Sequence, residues 1–78
     1  MDLAAAQRIP TGTPISRVIA KFGPPDGSHF DANGFQFLRW TQTRGSSAHS
    51  SRINGVVLRF DTNGRYAGVE SYTLERVN

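Results

Sequence analysis

The chain contains no cysteine, so neither a disulfide nor a thiolate-bound metal can hold it together. That absence does not assign a compartment, because proteins of the cytosol and of the periplasm can both lack cysteine. Long apolar runs are missing as well. No stretch approaches the ~20 apolar residues of a helical membrane span. Residues 1–7 are too short and too polar for a secretory signal. Clustered charge is also absent. Nine basic and six acidic residues give a net charge of +3, and eight of the nine are the scattered Arg8, Arg17, Arg39, Arg44, Arg52, Arg59, Arg65 and Arg76. This balance fits weak attraction to anionic lipid, to an acidic partner or to nucleic acid, and its plainer reading is a mildly basic solvated surface.

Seventy-eight residues make one domain, with a thin core of about a dozen apolar side chains. Residues 1–8 read as a flexible lead-in in which Asp2 to Gln7 is long enough for one helical turn, too short to be stable alone. The domain proper spans residues 9–76. Thr11-Gly12 reads as a turn, Thr13 as a helix cap and Pro14 as the first helical residue, where no N–H is needed. Ile15, Val18, Ile19 and Phe22 then recur at helical spacing and form one apolar stripe. Gly23 ends the helix, and Pro24-Pro25 prevents its continuation.

After the helix, Asp26 to Gly34 reads as a polar loop with a turn at Ala32-Asn33-Gly34. Phe35 to Thr41 alternates as a strand, with Phe35 and Phe37 on one face and Leu38 and Trp40 on the other. Gln42 to Arg52 reads as an extended mobile loop. Ile53 to Asp61 is a second strand with Val56, Leu58 and Phe60 on one face. Thr62-Asn63-Gly64 is a hairpin turn, and Arg65 to Leu74 a third strand. The expected fold class is α+β, with short helical segments packed on a three-stranded antiparallel meander.

Motifs of catalysis and cofactor binding are not matched. Thr11-Gly12-Thr13-Pro14 lacks the lysine and the spacing of a phosphate loop. Asp61-Thr62-Asn63-Gly64 begins like a calcium loop, but its glycine comes too early and Tyr72 stands where the twelfth-position glutamate belongs. His29, flanked by Asp26 and Asp31, and His49 lie in polar segments without metal-ligand spacing. Ser46, Ser47, Ser50 and Ser51 surround His49 in a segment too loose to hold a triad. No enzyme, cofactor or metal site is expected.

One surface does stand out. If Phe35, Phe37, Val56, Leu58 and Phe60 face the helix, Leu38 and Trp40 face away, near Arg39, Arg44 and Arg59. Aromatic and arginine side chains together mark binding hot spots. The opposing possibility is that the N-terminal segment or the long loop covers the pair. The candidate protein- or lipid-binding residues are therefore Phe37, Leu38, Arg39, Trp40 and Arg59. A nucleic-acid platform ranks lower, because residues 53–60 match the RNP1 pattern poorly.

The order of these pieces resembles the SmpA/OmlA (BamE-like) family of outer-membrane lipoproteins. Ile9, Gly12 and Thr13 match the family's Ile-x-x-Gly-Met/Thr-Thr motif, Val18 its helix, and Phe22-Gly23-Pro24-Pro25 its Leu-Gly-x-Pro exit. Phe35 and Phe37 stand where the family has Trp-x-Tyr. Val56, Leu58 and Phe60 match the second strand, and Asn63-Gly64 the turn. The resemblance covers about three-quarters of the chain, and the chain lacks the family's acylated cysteine. It implies a non-enzymatic periplasmic domain anchored at the outer membrane. Such a domain supports β-barrel assembly or envelope integrity by binding a partner protein of that machinery and an anionic phospholipid. The matching surface would be Phe37 to Trp40, with Arg39 as phosphate partner. The same fold class also serves inhibitor modules, and here the segment Gln42 to Arg52 would be the inhibitory element. A monomer, or a dimer exchanging strands through that segment, is compatible with this reading.

Overall fold

The computed structural model describes the backbone of residues 1–47 and 50–77, and the side chains of residues 1–41 and 55–73. In chain order the elements are α1 (Leu3–Gln7), α2 (Ile15–Phe22), β1 (Gly27–Phe30), β2 (Gln36–Ser47), β3 (Ser50–Phe60) and β4 (Tyr66–Val77). The architecture is α+β: two short helices lie on one face of a four-stranded sheet of order β1-β2-β3-β4, antiparallel throughout.

Residues 2–7 pack more closely than a lead-in would. The Asp2 carboxylate accepts from the Ala5 N–H at 2.8 Å and caps α1. Ala6 is fully buried, and its carbonyl accepts from the Tyr66 hydroxyl at 3.1 Å. An isolated helix of five residues would not persist, so tertiary packing is what holds this turn.

The apolar stripe of α2 falls where its spacing predicts. Val18 is buried, while Ile15, Ile19 and Phe22 pack partly buried against the core. The start of α2 differs from expectation. Pro14 occupies the cap position, with no side-chain cap. The Thr13 hydroxyl instead donates to the Pro10 carbonyl at 2.6 Å. The free Ile15 N–H donates to the Gly64 carbonyl at 2.9 Å, so the β3–β4 turn caps this helix from across the fold. The same segment is stitched to β4: the Gly12 N–H donates to the Tyr66 carbonyl at 2.9 Å, and the Tyr66 N–H to the Thr13 carbonyl at 2.8 Å. At the other end of α2, Gly23 adopts φ +86° and ends the helix as expected.

The sheet has one strand more than the sequence reading predicts. β1 lies inside the segment expected as a loop, and it pairs with β2 from Gly27↔Arg39 to Phe30↔Gln36. Its turn is the twin of the β3–β4 turn. Asp31-Ala32-Asn33-Gly34 and Asp61-Thr62-Asn63-Gly64 share one hydrogen-bond pattern. The Asp31 carboxylate accepts from the N–H groups of Asn33 and Phe35, both at 2.9 Å. Asp61 accepts likewise from Asn63 and Arg65, at 2.9 and 3.0 Å. Each turn closes on a glycine at positive φ, +86° at Gly34 and +75° at Gly64. This is the three-residue hairpin loop with glycine in the left-handed position.

A second correction concerns residues 42–52. Rather than a loop, most of this backbone continues β2 and β3, paired from Gln42↔Asn54 to Arg44↔Arg52 and again at Ser47↔Ser50. Serine and threonine tolerate a strand, and ladder hydrogen bonds satisfy the backbone whatever the side chains are.

The core lies between the helices and the inner sheet face. It holds Ala6, Val18, Leu38, Trp40, Val56, Leu58, Phe60 and Tyr66. Leu38 stands opposite Leu58, and Trp40 opposite Val56, so these four share the inner face with Phe60. Each fully buried aliphatic or aromatic side chain contributes roughly 1.5–3 kcal/mol.

Candidate functional site

The register places the expected surface residues on opposite sides of the sheet. Leu38 is 2% exposed and Trp40 4%. The face assignment of the sequence reading is therefore reversed for β2: the N-terminal helices cover Leu38 and Trp40. Neither residue is available to a partner. The Trp40 indole N–H donates to the Gly23 carbonyl at 3.0 Å, which satisfies its one polar atom inside the fold and ties the exit of α2 to β2. Phe37, Arg39 and Arg59, the other three candidates, lie together on the outer face. There Phe37 pairs with Arg59, and Arg39 with Val57.

Period-two alternation gives this outer face the rest of its members. β1 contributes Gly27 and His29, β2 Phe37 and Arg39, and β3 Val57 and Arg59, with Phe35 just before β2 beside them. The His29 and Phe37 rings stack at 5.0 Å with an interplanar angle of 13°. The Arg59 guanidinium sits 5.9 Å from the Phe35 ring centroid. It also donates to the Ala67 carbonyl at 3.4 Å and stands 3.9 Å from the Glu70 carboxylate. Both side chains of that ion pair are nearly half exposed, so it contributes little. Arg39 packs over Gly27, where a Cβ would lie 3.2 Å from its Nη2. The absent side chain at residue 27 thus makes room for the guanidinium. Gly27, His29, Phe37, Arg39 and Val57 line a shallow depression of about 280 Å³.

Phe35, Phe37 and Val57 are half-buried and His29, Arg39 and Arg59 exposed. The helices occupy the inner face, and among the described residues no element crosses the outer one. The chemistry offered is recognition: rings, a branched aliphatic and two guanidinium groups, one of them without a hydrogen-bond or ion-pair partner among the described residues. No group of three metal-ligating side chains occurs among the described residues. His29 is engaged with Phe37 rather than with Asp26 or Asp31. His49 lies outside the described residues, as do the side chains of Ser46, Ser47, Ser50 and Ser51.

The sequence reading sets Val57 beside Arg59, opposite Val56, Leu58 and Phe60, as found here, but turns Phe35 toward the helix and leaves His29 in a loop. The Asp-x-Asn-Gly motif recurring at Asp31 and Asp61 carried the missing signal. Had the first copy been read as a hairpin like the second, it would have demanded a strand before Asp31 and brought His29 beside Phe37.

Compared with protein-family models, with curated proteins and with solved structures, the chain matches none of them.

Proposed function

We propose that this chain is a non-enzymatic binding module, a bacterial envelope accessory of the SmpA/OmlA (BamE-like) kind, which docks a partner protein on the outer face of its sheet. The family part of this reading rests on the order of residues from Ile9 to Phe60 set out above. One observation carries the binding part. Phe35, Phe37 and Val57 lie on a face that no described element covers, flanked by Arg39 and Arg59. Aromatic and arginine side chains around an apolar centre are the composition of an interface core. The two cations favour a partner surface with an acidic rim. An anionic headgroup at Arg39 is the lipid extension of the same reading.

A second reading draws on the His29–Phe37 ring stack, because an unpaired base could extend it beside Arg39. The inhibitor alternative rests on residues 42–52, whose side chains lie outside the described residues.

The test uses immobilised wild-type protein and the double variant Phe37→Ala/Arg39→Glu on solubilised bacterial envelope. Circular dichroism first verifies that the variant folds. The expected result is one envelope protein retained by wild type and lost by the variant, with the binding then reproduced by the purified partner. Equal retention by both proteins refutes the outer face as the docking surface. Salt-dependent binding of single-stranded oligonucleotide, lost in the same variant, would transfer the face to the second reading.

A further inference from the structure

The helices carry a second candidate surface, on the opposite side of the sheet from its outer face. α1, α2 and their connection enclose an open cleft of about 470 Å³. Its apolar lining includes Ile9, Val18 and Phe22, and its cationic lining is Arg8, Arg17 and Lys21. Among the described residues no carboxylate lines it. Arg8 and Arg17 have no hydrogen-bond or ion-pair partner for their side chains among the described residues, and Lys21 only rests 5.6 Å from the Phe22 ring.

We propose that this cleft docks an acidic amphipathic helix of a partner protein. The charge arrangement selects that occupant. Arg17 and Lys21 are four residues apart on α2 and so project from one side of it, one turn apart. Arg8 stands across the cleft, just past the end of α1. Two of the cations therefore form a row along α2, one turn apart, and the third belongs to the end of α1. A helix with carboxylates one turn apart matches the row, and its apolar stripe covers Ile9 and Phe22. This is the helix-in-groove mode of recognition. The inference is independent of the outer sheet face, because Phe37, Arg39 and Arg59 take no part in it.

The experiment is an amide NMR titration of the labelled full chain with a synthetic amphipathic peptide, leucines on one face and glutamates beside them. A control peptide carries lysine in place of each glutamate. The expected result is saturable shifts confined to residues 5–22 for the glutamate peptide and none for the control. Arg17→Glu/Lys21→Glu should weaken binding by about tenfold or more. Ala20→Trp, an exposed lining position, should block it sterically with the fold intact. Three results overturn the proposal: no saturable shifts, equal shifts from the lysine peptide, or shifts from phosphatidylglycerol vesicles but not from the peptide.

Discussion

Substitution of Trp40 separates a core role from a surface role, because the two predict opposite outcomes. The indole is 4% exposed and stands opposite Val56 on the inner face. Its Nε1 lies 3.0 Å from the Gly23 carbonyl oxygen. Trp40→Phe keeps an aromatic ring but removes that bond, which costs about 1 kcal/mol and leaves a helix-terminal carbonyl without its donor. Trp40→Ala empties the site and costs about 3–5 kcal/mol. At roughly 0.05–0.15 kcal/mol per residue, a domain of this length holds about 4–12 kcal/mol in all. The alanine variant therefore loses a large share of the total, and the phenylalanine variant a tolerable one. In a domain this small about 1 kcal/mol moves Tm by roughly 4–8 °C. Trp40→Phe should melt lower by about that amount, whereas Trp40→Ala should be largely unfolded or melt far lower. Urea titration followed by far-ultraviolet circular dichroism is the assay, since the fluorescent ring is the group removed. Phe37→Ala, on the half-buried outer face, serves as the internal comparison and should cost about 1 kcal/mol. If Trp40→Ala unfolds within about 1 kcal/mol of wild type, the inner-face register is wrong and Trp40 belongs to the binding surface after all.

Further outcomes follow from individual side chains. Burial pushes the Tyr66 hydroxyl above the usual tyrosine range, so the fold favours its neutral form. That stability is fully present below the unfolded pKa of about 10 and is lost as pH rises through the folded value. Tyr66→Phe should cost about 1 kcal/mol at neutral pH through the lost bond to Ala6, and should flatten the alkaline fall in stability between denaturation curves recorded near pH 8 and pH 11. Asp61→Ala removes the acceptor of two turn N–H groups and should destabilise by about 1–2 kcal/mol in urea, with Asp61→Asn recovering most of it. Asp31→Ala should cost less, because only the Asp61 turn also supplies the Gly64 carbonyl that caps α2. Glu70→Ala should leave the urea midpoint nearly unchanged, within about 0.5 kcal/mol, since its partner Arg59 is 3.9 Å away and solvated.

The α2 stripe, its glycine stop and the β3–β4 turn were legible because each depends on local chemistry. Helical spacing, φ freedom and an aspartate reaching its own turn act within a few residues. The cap of α2 was not, because its acceptor is Gly64, far along the chain. α1 likewise exists through Tyr66, and nothing within Leu3–Gln7 announces that partner. β1 was missed for a different reason. Gly-Ser-His-Phe has weak strand propensity, and only its pairing with β2 makes it a strand. The long β2–β3 arm reads as loop for the same reason, since its polar sequence shows no apolar alternation while its backbone is fully able to pair.

The candidate site shows why register outranks alternation. Each strand's same-face sets were read correctly: Phe35 with Phe37, Leu38 with Trp40, and Val56 with Leu58 and Phe60. Only the joining of the strands was reversed. β2 is apolar on both faces, so its own pattern cannot say which face points to the helices, and a slip of one residue exchanges the two. A hairpin motif in the sequence would have fixed the pairing, but residues 42–52 contain no Asn-Gly or Asp-Gly pair. The structure resolves the parity by placing Leu38 opposite Leu58. That choice also changes what the aromatics mean. From β2 and β3 the core takes Leu38, Trp40, Val56, Leu58 and Phe60, and it includes neither Phe35 nor Phe37. An aromatic pair set outside that core, beside two arginines and under no covering element among the described residues, costs solubility. Docking would offset that cost, and this is why the proposed binding surface moves to the outer face rather than disappearing with Trp40.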